Sequence, residues 1–443
     1  MKNYELRITN YELKFILLIL FILLMCFGQS KAQTLDSLIN EAMLNNPQLK
    51  SLNYKIRASE YRVNSADALP PPSVGLEISQ IPFSSLNLIN EPFSQNLAIS
   101  QMFPLGGKIS AMVDVEKKNV AIHQDNYQTY KLNLIANLKM VYYNTWLIDK
   151  KIEVQTGSIS LLNDLINSLS KLYEINRIAQ ADILTIKSEI ALYETQLVIL
   201  KNQKESELFK INKLLGRDLD SKEITVSKDL NIKPFNLSRV ELERKLEDNN
   251  PELKRMNSMI EMNKSEIIAN DKEKIPDLML QGMLMRMPRG MPLTSKTPPD
   301  MIDGLGKTEY MYGLMASFTL PFMPWSVDKY NSKTQELETS NLSIDSERND
   351  MQREMNSQLK SAYVKMQTSY DLAKLYSENV IPLYEKARSS QVSQYQNNQT
   401  NINTVIDTGR MLLMQTMNYY MAQADYLMAI AEIEMMTGEY ITK

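Results

Sequence analysis

Residues 278–287 read LMLQGMLMRM. The segment is too short for a membrane-spanning helix, but ten residues suit a tilted transmembrane strand. With period two, Leu278, Leu280 and Leu284 share a face with Gly282, and Arg286 ends that row. Met279, Gln281, Met283, Met285 and Met287 take the other face. A lipid-soluble face backed by a softer, more polarisable one fits the wall of an outer-membrane barrel.

Three further segments alternate in the same way. Val74, Leu76 and Ile78 stand against Gly75, Glu77 and Ser79, and Leu97 and Ile99 against Asn96, Ala98 and Ser100. A return strand after the Pro- and Gly-rich loop at 288–309 puts Tyr310, Tyr312, Leu314, Ala316 and Phe318 opposite Met311, Gly313, Met315, Ser317 and Thr319. Each strand pair leaves through a proline-marked exit, FPLGGK at 103–108 and LPFMPW at 320–325. Phe103, Phe322 and Trp325 are then expected in aromatic girdles at the membrane interface.

The chain repeats internally. NNPQLK at 45–50 returns as NNPELK at 249–254, and a proline opens a strand after each, at Pro72 and Pro276. Tyr173 and Gly216 are spaced as Tyr395 and Gly438 are. This predicts a first repeat over 33–216, a polar linker over 217–238 and a second repeat over 239–443. Each repeat reads helix, strand, loop, strand, long helix, turn, helix. The long helix from Lys108 to Tyr173 would hold roughly 66 residues and span about 100 Å at 1.5 Å each. Its flanking helices, Leu35–Ala68 and Asp182–Leu215, hold about 34 residues each, so two stacked end to end match it. The second repeat has the same relation, Val327–Tyr395 against Arg239–Asp271 plus Asn401–Met436. Paired continuous and stacked helices describe a coiled-coil cylinder wall. Pro382 should bend the second long helix.

The remaining composition narrows the class. With 49 basic and 52 acidic residues the net charge is -3, which suggests no nucleic-acid partner. The 13 glycines and 17 prolines are few for 443 residues, favouring long unbroken helices. Residues 1–32 have the parts of a secretory signal: Lys2, Arg7 and Lys14, an apolar run from Phe15 to Phe27, and a cleavable end at Ala32. Cys26, the single cysteine, lies inside that run behind Met25, too large for a lipoprotein site. No later apolar run is long enough for an inner-membrane helix. His123 is the single histidine, so one chain cannot build a His-based triad, zinc site or proton relay. It is expected as a solvated or packing residue. No phosphate-cradling glycine loop appears, so energy would come from a partner and no cofactor is expected. Glu432 and Glu434 point to different helix faces and make no catalytic pair.

Four strands cannot close a barrel, and an open edge in lipid strands backbone polar groups at several kcal/mol each. The smallest barrels need about eight strands, and with eight the interior fills with side chains. A homotrimer with twelve strands is the better expectation.

Taken together, the doubled NNPxLK starts, the LGGK exit, the regions near Tyr173 and Tyr395 and the ends at Gly216 and Gly438 resemble the TolC-type outer-membrane efflux proteins. The resemblance spans nearly the whole chain after residue 32. It implies a mainly α fold with a small β part: a trimeric twelve-stranded barrel in outer-membrane lipid, above a periplasmic α-barrel tunnel. It also implies a passive export duct, not an enzyme, that docks on a periplasmic membrane-fusion adaptor and an inner-membrane pump of RND or ABC type. Carried over residue by residue, Tyr395 and Asp407 match positions at the closed entrance, and Asp182 matches the acidic position of the first-repeat turn. Thr400 stands where a gating arginine occurs in the family, and Thr404 replaces an entrance aspartate. That leaves Asp407 alone to form an acidic ring. The plainer reading makes Asp182 and Asp407 helix-turn residues, with Asp182 near an N-cap.

The 28 methionines are the unusual feature. Met102, Met279, Met283, Met285, Met287, Met311 and Met315 fall on the face turned from lipid, and Met291 and Met301 lie in the outer loop. Soft thioethers prefer Cu(I) and Ag(I). Methionine is also adaptable filler, and Met256, Met259 and Met262 at helical spacing read as packing. Export of Cu(I)/Ag(I), export of other small toxic compounds and type I protein secretion all remain open. A periplasmic coiled-coil scaffold would explain the helices but not four alternating strands.

Overall fold

The computed structural model describes residues 34–440, except 82, 84–86, 91, 176, 222–223, 231 and 289–306. The expected signal segment with Cys26, and the loop methionines Met291 and Met301, lie outside the described residues.

The same succession of elements occurs twice. The first set is α1 (Leu35–Asn45), α2 (Pro47–Ala66), β1 (Ser73–Ser79), β2 (Ser94–Phe103), α3 (Lys108–Glu174) and α4 (Gln180–Leu215). The second is α5 (Arg239–Asn249), α6 (Pro251–Lys272), β3 (Leu278–Met287), β4 (Glu309–Phe318), α7 (Pro324–Leu375), α8 (Ile381–Gln396) and α9 (Ile402–Thr437). The fold is mainly helical with one four-stranded antiparallel sheet, in the order β1-β2-β3-β4.

One expectation needs correction in both repeats. The single helices read over 35–68 and 239–271 are each broken at the asparagine before proline. A residue preceding proline is pushed out of the helical region, and Asn46 and Asn250 are extended, with ψ of 122° and 121°. Asn250 then caps α6, accepting from the Glu252 and Leu253 N–H groups at 2.9 and 3.2 Å. At Pro382 the expected interruption of the second long helix is present, as a change of hydrogen-bond pattern. Its ring removes the N–H that would reach back four residues. A π-turn at Tyr376–Val380 accommodates the loss, with the Ile381 N–H donating to the Tyr376 carbonyl, and helix continues on both sides.

The described chain forms two compact units, and each repeat contributes to both. In the unit comprising residues up to 47, 131–243 and 358–443, Leu38, Leu138, Tyr142, Trp146, Leu215 and Tyr426 are fully buried. The ends of α1 and α4 meet there. The Asn46 side chain donates to the Leu214 carbonyl at 2.9 Å, and Arg217 grips Glu41 through two bonds of 2.5 and 2.6 Å. Gly216 closes α4 with φ 73°, and a Cβ on it would lie 2.8 Å from the Asn45 carbonyl oxygen. The segment over 217–238 is strapped down by aromatic groups: Trp146 Nε1 donates to the Lys228 carbonyl, Tyr142 Oη accepts from the Ser227 N–H, and the Tyr426 hydroxyl donates to the Lys233 carbonyl. Lys139 and Glu434 form a buried ion pair in this unit.

The second unit, 48–130 and 244–357, holds the sheet. Lys108, buried at the start of α3, pairs with Asp277 at 2.8 Å and Glu273 at 3.4 Å just before β3. Gly106 makes the exit from β2 possible: its φ is +71°, and a Cβ there would fall 2.2 Å from the Ile275 side chain.

Candidate functional site

Strand register sorts the sheet into two faces. Direct partners lie on the same side of an antiparallel sheet. Leu76 faces Leu97, Leu97 faces Leu284, and Leu284 faces Tyr312, so one row of the first face is wholly apolar. That face stands bare: Leu76 is 81% exposed, Tyr312 86% and Leu314 87%. Arg286 ends it, donating to Gln95 Oε1 at 2.7 Å and to the Ile89 carbonyl at 2.9 Å.

The opposite face gathers all seven strand methionines. Met102 faces Met279, Met285 faces Met311, Met283 faces Gly313, Gln281 faces Met315, and Met287 faces Glu309. Ser94, Asn96, Ala98 and Ser100 continue it through β2. Among the described residues β1 and β4 have no strand partner on their outer sides. Phe322 and Trp325, beside the exit from β4, are exposed.

In the other unit, the turns between α3 and α4 and between α8 and α9 carry the second candidate site. The Tyr395 hydroxyl donates to Asp182 Oδ2 at 2.7 Å across a cluster of Leu169, Ile186, Ile190, Ile402, Val405 and Ile406. Burial, and then the Asp182 carboxylate, push the Tyr395 phenol well above its ordinary range, so it stays a neutral donor. Asp182 lies in the first turn of α4, where the N-cap is Ala179 and offers no side-chain bond; the Asp182 carboxylate therefore serves Tyr395 beside the positive end of the helix. Asp407 sits beyond the first turn of α9, which Asn401 caps by accepting from the Thr404 N–H. The plain helix-turn reading of Asp407 therefore fails. Asp407 also does not join Tyr395 and Asp182; it lies 3.4 Å from Arg410 Nη1 and is mostly exposed.

Arg410 is the residue that sequence reasoning missed. Its guanidinium holds Glu189 in a fork, Nε to Oε1 at 2.8 Å and Nη2 to Oε2 at 2.5 Å. Arg410 draws the Glu189 carboxyl below the usual range against the opposing effect of burial. Burial and Glu189 push the Tyr193 phenol up to about 12. Asp182, Ile186, Glu189 and Tyr193 recur at helical spacing on one face of α4, and Arg410 follows Asp407 by three residues. That stripe was the signal available. Between α3, α4, α8 and α9 lies a cavity of about 400 Å³, walled by Gly157, Leu161, Leu165, Val392, Gly409 and Leu412. A Cβ added at either glycine would meet nothing within 4 Å.

Replacing Tyr395 with Phe should lower stability by about 1 kcal/mol, the usual net worth of one hydrogen bond, since the half-buried Asp182 can be rehydrated. Thermal unfolding of the purified protein measures it. Loss of more than the hydrogen bond would show that Tyr395 locks the two turns together.

Residues 38–217 match the model of the outer membrane efflux protein family. No curated sequence is significantly similar to the chain. Solved outer-membrane channels share the fold over almost its full length. CusC aligns at TM-score 0.73 and 13% identity over 92% of both chains. CmeC of Campylobacter jejuni aligns at 0.72 and 13% over 93% of this chain and 87% of its own. VceC of Vibrio cholerae aligns at 0.71 and 13% over 92% and 97%. At such identity the likeness speaks for the fold. His123, the single histidine, lies 3.3 Å from Arg62, and burial followed by that positive charge lowers its pKa. Among the described residues no three His, Cys, Asp or Glu side chains gather into a metal site.

Proposed function

We propose that this chain is the outer-membrane channel of a tripartite efflux system, a homotrimer whose twelve strands close a barrel. One observation carries the reading: a four-stranded sheet whose two edges are open among the described residues, with an apolar face bare to solvent. Backbone groups at an open edge have no partner in lipid, so only a closed ring of copies satisfies them. The seven methionines would then line the lumen, and Phe322 and Trp325 would lie at the interface beside lipid headgroups. Residues 1–32 serve as the export signal.

The helical part would stand in the periplasm, with the Tyr395–Asp182 and Arg410–Glu189 contacts holding the entrance shut and Asp407 exposed beside it. The glycine-walled cavity suits the apolar stripe of an adaptor helix, a common mode of helix recognition. That adaptor would couple the duct to an inner-membrane pump of RND or ABC type, which supplies the energy.

The test is assembly. The protein is expected in the outer-membrane fraction, as a detergent-stable trimer that migrates differently on gels before and after heating. A monomer that stays in solution without detergent overturns the proposal.

A further inference from the structure

We infer that the methionine face carries a binding site for Cu(I) and Ag(I), built from the thioethers of Met283, Met285 and Met311 around Gly313. For its place on a transport route this rests on the reading of the sheet as a channel wall.

The register makes the site. Met285 and Met311 are direct partners, which sets their Cβ atoms about 5 Å apart. Met283 faces Gly313, where no side chain occupies the space between Met311 and Met315 on the same strand face. The Met283 methyl group reaches across that gap and lies 3.9 Å from where a side chain at 313 would begin. Three flexible thioethers therefore border one vacancy, with Met315 at its rim. Each is neutral and soft, and none needs to lose a proton to bind. Such a donor set discriminates against Mg(II), Ca(II) and Zn(II) and favours monovalent copper and silver.

Packing does not account for these side chains as it does for others. Met256 is buried in the helical core at 6% exposure, while Met315 is 44% exposed and Met283, Met285 and Met311 are only partly covered. Filler belongs where there is a gap in a core. Here the methionines stand on an uncovered sheet face around a glycine, with only the Met283 methyl group over it.

The experiment titrates the full-length, detergent-purified protein with Ag(I) against a competing chelator. One Ag(I) per chain is expected, and Met283→Leu/Met285→Leu/Met311→Leu should weaken binding by about tenfold or more, as loss of ligand-shell groups does. Met256→Leu should leave it unchanged. Leucine conserves volume, and trimer content of the variant confirms its fold. With Cu(I), X-ray absorption should report a shell of sulfur ligands. No Ag(I) bound by the parent protein, or equal binding by the triple variant, overturns the inference. A membrane-inserted trimer that binds no Ag(I) removes the site and keeps the duct. Tight Ag(I) binding by a protein that never enters the membrane keeps the site and removes the duct.

Discussion

Arginine at position 280 is expected to abolish insertion into the outer membrane, and arginine at position 281 to leave it intact. The two residues are neighbours on β3, yet the register separates them completely. Leu280 lies opposite Gln101 and Ala316, near the middle of the strand and on the face that carries Leu284, Leu314 and Phe318. Gln281 lies opposite Ser100 and Met315, on the face of Asn96, Ala98 and Met283. A lipid-facing arginine near the bilayer midplane costs about 2–4 kcal/mol, while lumen positions accept charge. A closed trimer would incur that cost once in each copy, against a total stability of roughly 5–15 kcal/mol for an ordinary domain. Leu280→Arg should therefore leave no heat-modifiable trimer in the outer-membrane fraction, and Gln281→Arg should give the parent amount. Leu280→Ala separates charge from lost area, and should still insert. If both arginine variants inserted equally, the sheet would not face lipid with its leucine side, and the proposed duct would lose its wall.

That one-residue contrast shows where sequence alone was strong. Alternation over 278–287 and 310–318 assigns faces without any knowledge of partners, because a strand has only two sides. The pairing is different. β2 joins β3, so the sheet bridges the two repeats, and nothing in either segment names its neighbour. Helix extent was legible where caps and glycines mark it, as at Lys108, Gly216 and Gly438. It was misjudged at Asn46 and Asn250, where the same prolines that mark the repeat also break the helix. Pro382 marked the interruption of the second long helix, while the form it takes, a π-turn at Tyr376–Val380, leaves no trace in composition. At the helix turns, Asp182 and Tyr395 were reachable from resemblance, and the structure brings them together. Asp407 went elsewhere because Arg410, three residues on, had not been weighed.

Arg410→Ala is the second large effect expected. The Glu189 side chain is only 4% exposed, and Arg410 supplies both bonds of the fork. Removing the guanidinium leaves a buried carboxylate with Tyr193 as its remaining partner. A fully buried pair broken this way costs 3–5 kcal/mol, but Arg410 is half exposed and water screens it, so roughly 2 kcal/mol is the better expectation. The pH dependence gives the sign. In the parent protein Arg410 holds the Glu189 pKa below its unfolded value. Its contribution is therefore present above the ordinary carboxylate range and is lost as pH falls through the lowered folded value. In Arg410→Ala burial acts unopposed, the folded pKa rises, and protonation relieves the penalty. The gap in unfolding temperature between the two proteins should be widest near neutrality and shrink toward about pH 4. Arg410→Ala/Glu189→Gln should recover much of the loss, because an amide needs no counter-charge. A gap that stayed constant with pH would mean that the fork stabilises by packing alone, and the entrance would then lose one of its two polar locks.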